Sequence, residues 1–125
     1  MKKIVIVEDE KAIADAEKSI LEDGYDVYVC YDGKIGLKKI NEIKPDLAIL
    51  DVMLPSLDGF ALCRKIKSDS ALRHLKVLMV TAKNEEKDEA RGIGIGADDY
   101  IMKPFEAVEL RHVVAQLLSG KSGKD

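Results

Sequence analysis

Several function classes need residues of which this sequence has few. It has two cysteines, Cys30 and Cys63, without metal-ligand spacing. Both fall in apolar segments, where a free Cys serves as a small buried hydrophobe, so a disulfide framework or a thiolate metal site is disfavoured. Histidine is as scarce: His74 falls in a loop and His112 on the last predicted helix beside Arg111, so neither is expected as a ligand. There is no excess of basic charge, with 20 Lys and Arg against 23 Asp and Glu and a net charge of -3. A nucleic-acid footprint needs clustered basic excess, so direct nucleic-acid binding is not expected. There is no long hydrophobic run either. Ile4 to Val7 stops at Glu8-Asp9-Glu10, far short of a signal-peptide core or the ~20 apolar residues of a membrane span. The expectation is a soluble chain in a reducing, cytoplasmic setting.

What is present fits one domain: 125 residues, 46% of them hydrophobic, are enough to fill a core. Five short apolar runs recur at Ile4-Val7, Val27-Tyr31, Leu47-Leu50, Val77-Val80 and Tyr100-Met102. Stretches of helical period separate them, which is the pattern of βα units on a parallel sheet. Runs one, three and four are continuously apolar, as central strands covered on both faces must be. The second carries two tyrosines and is placed nearer an edge.

Helix signals lie between the runs. Ile13, Ala16, Ile20 and Leu21 mark a first helix, with Gly24 expected as its C-terminal cap. Leu37, Ile40 and Ile43 mark a second, which must end before Pro45. Phe60, Cys63 and Ile66 mark a third. Glu85 to Ile93 gives a weak fourth, followed by Gly92, Gly94 and Gly96, each unfavourable in a helix by ~1 kcal/mol relative to Ala. Glu106 to Leu118 is the clearest. The domain is expected over 1–118, with 119–125 a flexible tail or the start of a linker.

In an open parallel α/β sheet, ligands bind beyond the carboxyl ends of the strands. Strand one runs into Glu8-Asp9, strand three into Asp51, strand four into Thr81 and strand five into Lys103-Pro104. Two carboxylates ~4 Å apart repel by ~4 kcal/mol at an effective dielectric of 20, so three acids in one pocket need a counterion. All-oxygen ligation suits Mg²⁺, with Mn²⁺ as a substitute, better than Zn²⁺. The alternative is that Asp9 caps the first helix and the other acids are solvated strand ends. A metal, the Thr81 hydroxyl and the Lys103 ammonium around one carboxylate make a phosphoryl cradle, with Asp51 the natural acceptor. A cis Lys103-Pro104 bond is one way to aim the ammonium inward.

The segments Val7-Glu-Asp-Glu10, Leu50-Asp-Val-Met-Leu-Pro-Ser-Leu-Asp-Gly59, Val80-Thr-Ala82 and Gly96-Ala-Asp-Asp-Tyr-Ile-Met-Lys-Pro-Phe105 closely resemble the receiver domain of two-component response regulators. The resemblance runs from Lys2 to about Leu118. It implies a single (βα)5 doubly wound domain of the CheY-like type: a five-stranded parallel sheet of order 2-1-3-4-5 with five flanking helices. It implies that Asp51 accepts a phosphoryl group, that Asp9 and the Met53 backbone carbonyl bind Mg²⁺ directly, and that Glu8 is a further metal-site acid. Where many relatives carry two aspartates this chain has Glu8-Asp9, so Glu8 acts directly or through water. Thr81 and Lys103 match the phosphoryl-binding positions, while Pro55 and Gly59 match the turn behind the acceptor strand. Val52, Leu54 and Phe60 are read as packing residues.

The resemblance also implies a switch, in which Thr81 moves toward the phosphoryl group and Tyr100 follows into the vacated space. The output face is then the Glu85–Ile93 helix, strand five and the last helix, the chain being a monomer or a phosphorylation-dependent dimer through that face. The phosphodonor belongs to a sensor histidine kinase or a histidine phosphotransfer protein, with Ala12, Asp15 and Glu17 as candidate exposed residues for its recognition. The output goes to a downstream protein or a fused effector domain. Met53 and Lys83, two beyond the acceptor and the threonine, are expected to tune phosphate lifetime. Three rival readings exist on the same residues. A turnover phosphatase needs a second acid where Met53 stands, and a dinucleotide loop must follow strand one, where Glu8-Asp9-Glu10 would repel a pyrophosphate. The third is a pseudo-receiver acting only as an interaction module.

Overall fold

A computed structural model describes residues 1–82 and 96–119. Among these, five strands form one parallel sheet of order β2-β1-β3-β4-β5: β1 Lys3–Val7, β2 Asp26–Cys30, β3 Leu47–Asp51, β4 Lys76–Ala82 and β5 Asp99–Lys103. The parallel sense is the one the alternating runs predict, and the order is the one the family resemblance implies. Four helices are described: α1 Lys11–Leu21, α2 Gly33–Ile43, α3 Gly59–Ser68 and α4 Ala107–Leu118. The helix expected over Glu85–Ile93 and the tail after Ser119 lie outside the described residues.

Because successive side chains of a strand face opposite ways, the continuous apolar runs divide into two cores. Val5, Val7, Ala48, Leu50, Val77 and Met79 face α2 and α3, meeting Ile40, Phe60, Leu62, Cys63 and Ile66. Ile4, Ile6, Leu47, Ile49, Leu78, Val80 and Ile101 face α1 and α4, meeting Leu21, Leu110 and Val114. Both cysteines are free and buried, and burial holds both thiols above their ordinary pKa, Cys63 at about 11.

Helix boundaries follow local chemistry. Asp32 caps α2 by accepting from the Ile35 N–H at 3.0 Å, and Asp58 caps α3 by accepting from the Ala61 N–H at 2.9 Å. Each satisfies one of the donors that a helix N-terminus leaves free. Helix α2 ends at Lys44 in the left-handed region, φ 50°, because Pro45 excludes helical geometry before it. At α1 the alternative in which Asp9 caps the helix does not hold, since the residue at the N-cap position is Glu10 and makes no side-chain cap. One expectation there needs correction. At its end Glu22 caps in right-handed geometry, donating its N–H to the Lys18 carbonyl, so Gly24 is not the cap. Strand bounds also move: β2 begins at Asp26 and ends at Cys30, and β4 and β5 extend to Ala82 and Lys103. The polar residues at these strand ends therefore belong to the ladder itself. Strand β2 lies at the edge, as its tyrosines suggested.

Candidate functional site

The strand order sets β1 beside β3, β3 beside β4 and β4 beside β5, so the polar residues at their carboxyl ends meet. Glu8 follows β1 and Asp51 ends β3; they are 1% and 5% exposed. Thr81 is buried near the end of β4, one position before Ala82, which is in register with Lys103. Ligand oxygens of Glu8, Asp9 and Asp51 lie within 4.8 Å of one another. Asp9 is exposed, which leaves the cluster open to solvent on that side.

Lys103 ties the cluster together. Its Nζ is 3.1 Å from Asp51 Oδ2, a hydrogen bond, and 2.9 Å from Glu8 Oε1, an ion contact outside hydrogen-bonding alignment. The other oxygens are held by backbone donors: the Glu10 N–H donates to Glu8 Oε2 and the Met53 N–H to Asp51 Oδ1, both at 3.1 Å. The Lys103-Pro104 peptide is cis. Burial raises the Glu8 pKa to about 7, Asp51 beside it adding to the rise and Lys103 opposing it. Burial works against the Lys103 charge too, but the Glu8 and Asp51 carboxylates outweigh it, and its pKa lies above the ordinary value.

The loop after β3 is built to bring the chain back close to Asp51. Ser56 sits in the left-handed region at φ 64°, and the Pro55 carbonyl accepts from the Leu57 and Gly33 amides at 2.7 and 3.2 Å. Gly59 opens α3 directly behind β3, its N–H donating to the Val52 carbonyl at 3.0 Å. A Cβ on Gly59 would fall on the Asp51 carbonyl oxygen, so the close approach requires glycine. Val52 and Phe60 are buried and Leu54 is partly buried against the same core; Met53 is 75% exposed beside Asp51. Tyr100 is half-buried on β5, in register with Met79. His74 and His112 are exposed. Lys83 lies outside the described residues.

Glu17 corrects the sequence reading. Ala12 and Asp15 are exposed on α1 as expected, but Glu17 is 1% exposed and neither carboxyl oxygen has a hydrogen-bond partner. It lies on the stripe of α1 that faces the sheet, with Ala14 and Leu21. The signal was legible: Glu17 is four residues from Ile13 and from Leu21, on the apolar face that fixed the helix. Burial first, and then the Glu8 charge, raise its pKa to about 8, with Lys103 pulling the other way.

Among the described residues, no helix is long and apolar enough to cross a membrane. The response regulator receiver domain model matches residues 4–115. A protein described as a response regulator from Chloroflexus aurantiacus J-10-fl is 34% identical with a TM-score of 0.91, covering 94% of this chain and 98% of that one. The signal receiver domain of a signal transduction histidine kinase from Syntrophus aciditrophicus is 39% identical with a TM-score of 0.89, covering 96% and 92%. NtrX from Brucella abortus, solved in complex with ADP, is 34% identical with a TM-score of 0.88. That match covers 94% of this chain but 27% of NtrX, so there the same fold is part of a much longer chain. On the family match and these relatives, the chain belongs to the response regulator receiver domains.

Proposed function

We propose that this chain is a phosphoacceptor switch in which Asp51 receives a phosphoryl group from the phosphohistidine of a sensor kinase or phosphotransfer protein. The observation that carries the reading is the Lys103 bridge. Motifs 43 and 52 residues apart along the chain, ending β1, β3 and β5, converge on one ammonium within 3.1 Å. In the transfer an Asp51 carboxylate oxygen attacks phosphorus, the P–N bond to the imidazole breaks as the P–O bond forms, and the leaving nitrogen takes a proton from solvent. Such a reaction needs mainly positioning and charge neutralisation. The backbone N–H of Met53 fixes one Asp51 oxygen, and Lys103 holds the other.

The donor set fits Mg²⁺, or Mn²⁺ in its place: hard oxygen ligands converge, one acid opens to water, and a single ammonium cannot balance three carboxylates. Asp9, Asp51 and the Met53 carbonyl would hold it, with Glu8 direct or through water. When bound it supplies positive charge against that developing on the transferring oxygens. Thr81 would then hydrogen-bond the phosphoryl group while Lys103 stays engaged, and Tyr100 would move in response. This is a local charge change biasing a two-state element. The output face in this reading is β5 with α4 and the Glu85–Ile93 segment, acting on a separate protein, a fused effector or a second copy of the chain. Ala12 and Asp15 remain the α1 residues suited to kinase recognition, in a cytoplasmic setting, and 1–118 is the functional unit.

The test is incubation with a small-molecule phosphodonor and Mg²⁺, followed by intact mass. One phosphoryl adduct on the wild type and none on Asp51→Asn supports the reading. No wild-type adduct would favour the phosphorylation-independent module, and an adduct that survives the mutation would remove Asp51 from its role.

A further inference from the structure

We propose that Lys67 and Asp98 are positioning residues for Lys103: they form a clasp at the far end of β5 that sets the strand lengthwise and so places the ammonium on Asp51. The inference rests on the phosphoacceptor reading above and adds to it two residues remote from the acid pocket.

Among the described residues β5 is an edge strand paired only with β4, so a single ladder fixes its lengthwise position. Its ion pairs lie at its two ends. Lys103, the last residue, meets Asp51 and Glu8. Asp98, just before the strand, meets Lys67 of α3 at 2.8 Å. Lys67 Nζ also donates to the Leu75 carbonyl at 2.9 Å and to the Arg73 carbonyl at 3.5 Å, which occupies every donor an ammonium has. The same Asp98 oxygen accepts the Val77 N–H at 2.8 Å, and the Asp98 N–H donates to the Val77 carbonyl at 2.9 Å. The clasp thus joins α3, the entry to β4 and the entry to β5. Gly96, at φ 101°, lets the chain pass close over the Lys67 stem, since a Cβ there would stand 3.2 Å from Lys67 Cγ.

Helix α3 and strand β5 run in opposite directions between the same two poles of the sheet. At the near pole, Gly59 of α3 lies on the Asp51 carbonyl and Lys103 of β5 holds the Asp51 carboxylate. At the far pole, Lys67 and Asp98 join the two elements. Asp51, α3, the clasp and β5 therefore close a frame, in which one arm bears on the backbone of Asp51 and the other on its side chain. About 16 Å of extended chain separates Asp98 from Lys103. That is beyond the ~8 Å Debye length at physiological ionic strength, so the Lys67 charge scarcely acts on Lys103 directly. The coupling is carried by the strand: a displacement of its clasped end moves the ammonium relative to Asp51.

The test is carbon NMR of the Asp51 carboxyl in chelator at fixed pH, for Lys67→Gln made in the wild type and in Lys103→Met. Phosphorylation by an acyl phosphate with Mg²⁺ is followed alongside. Lys67→Gln should shift the Asp51 resonance where Lys103 is present and leave it in place where Lys103 is absent. It should also slow adduct formation about tenfold, since an ångström of misplacement arising far from the chemistry costs up to about a hundredfold. Lys67→Arg, which keeps the donors, should restore the rate. Asp98→Asn keeps an acceptor for the Val77 N–H but drops the charge, and it should behave as Lys67→Gln does. Denaturation curves identify the folded variants; a purely structural lysine would lower stability without moving the Asp51 resonance or the rate of the folded protein. Equal shifts in both backgrounds, no shift in either, or an unchanged rate would overturn the inference and leave the proposed function standing. Absence of a wild-type adduct would instead overturn the proposed function, and this positioning role with it.

Discussion

Replacing Glu17 by Gln should make the metal-free protein more stable, and by more as the pH rises. The replacement keeps shape and hydrogen-bonding capacity and removes only the ionisation. In the folded protein the carboxyl titrates at about 8 instead of 4.5. A folded-state pKa above the unfolded one means that the unfolded chain gives up the proton first, so rising pH favours unfolding. The penalty is absent below about pH 4.5, reaches about 3 kcal/mol at pH 7 and about 5 kcal/mol above pH 8, at about 1.4 kcal/mol per pKa step. Because Glu17 is 1% exposed, solvent screening takes little from these values. Chemical denaturation in chelator at a series of pH values reads the effect directly, since the slope against denaturant reports surface exposed and should not change. Wild type and Glu17→Gln should coincide near pH 4.5 and diverge steadily to pH 8. Parallel curves over that range, or a variant less stable at pH 8, would refute the assignment of Glu17 as a buried, unpartnered acid.

Other perturbations bear on the same architecture. Lys103→Met strands Glu8 and Asp51 without their counter-charge, so metal-free stability at pH 8 should fall by about 2 kcal/mol and the Glu8 carboxyl, followed by carbon NMR, should titrate above about 7. Gly59→Ala places a Cβ against the Asp51 carbonyl; denaturation should show a loss of at least about 2 kcal/mol, with a shift of the Asp51 amide resonance. Asp98→Ala removes the acceptor of the Val77 N–H at 2.8 Å and the partner of Lys67, a loss of about 1–3 kcal/mol by the same measurement.

The fold was legible because its pattern is redundant. Val5 and Ile6, or Leu47 and Ala48, are buried on opposite faces, and only a strand covered on both sides reads as an unbroken apolar run. Pro45 and the stop after Ile43 needed nothing beyond local sterics. The convergence of Glu8, Asp51 and Lys103 was legible from their positions at run ends, and the fold supplied the adjacency. What escaped depended on tertiary surroundings. Gly24 looked like a cap, but Glu22 already closes α1 in right-handed geometry, leaving no left-handed position to fill. Glu17 was read as a surface charge because acids are rarely buried, although its helical phase pointed inward. Burial of a polar residue is decided by what the other elements pack around it, here the sheet face that α1 covers with Ala14 and Leu21.

The glycine contacts divide the surroundings of Asp51 into a stiff side and a compliant one. Toward β2, the first turn of α2 is fastened to the β3–α3 loop: the Gly33 amide bonds the Pro55 carbonyl, the Lys34 amide bonds the Ser56 hydroxyl, and Gly33 lies directly on the Leu57 carbonyl. Backbone packed on backbone has no rotamer through which to yield. An impulse at Asp51 therefore meets an abutment on that side, while toward β5 it meets side chains, Lys103 foremost, that can swing. Among the described residues, the contacts around Asp51 are thus one-sided, and that bias precedes any ligand or partner.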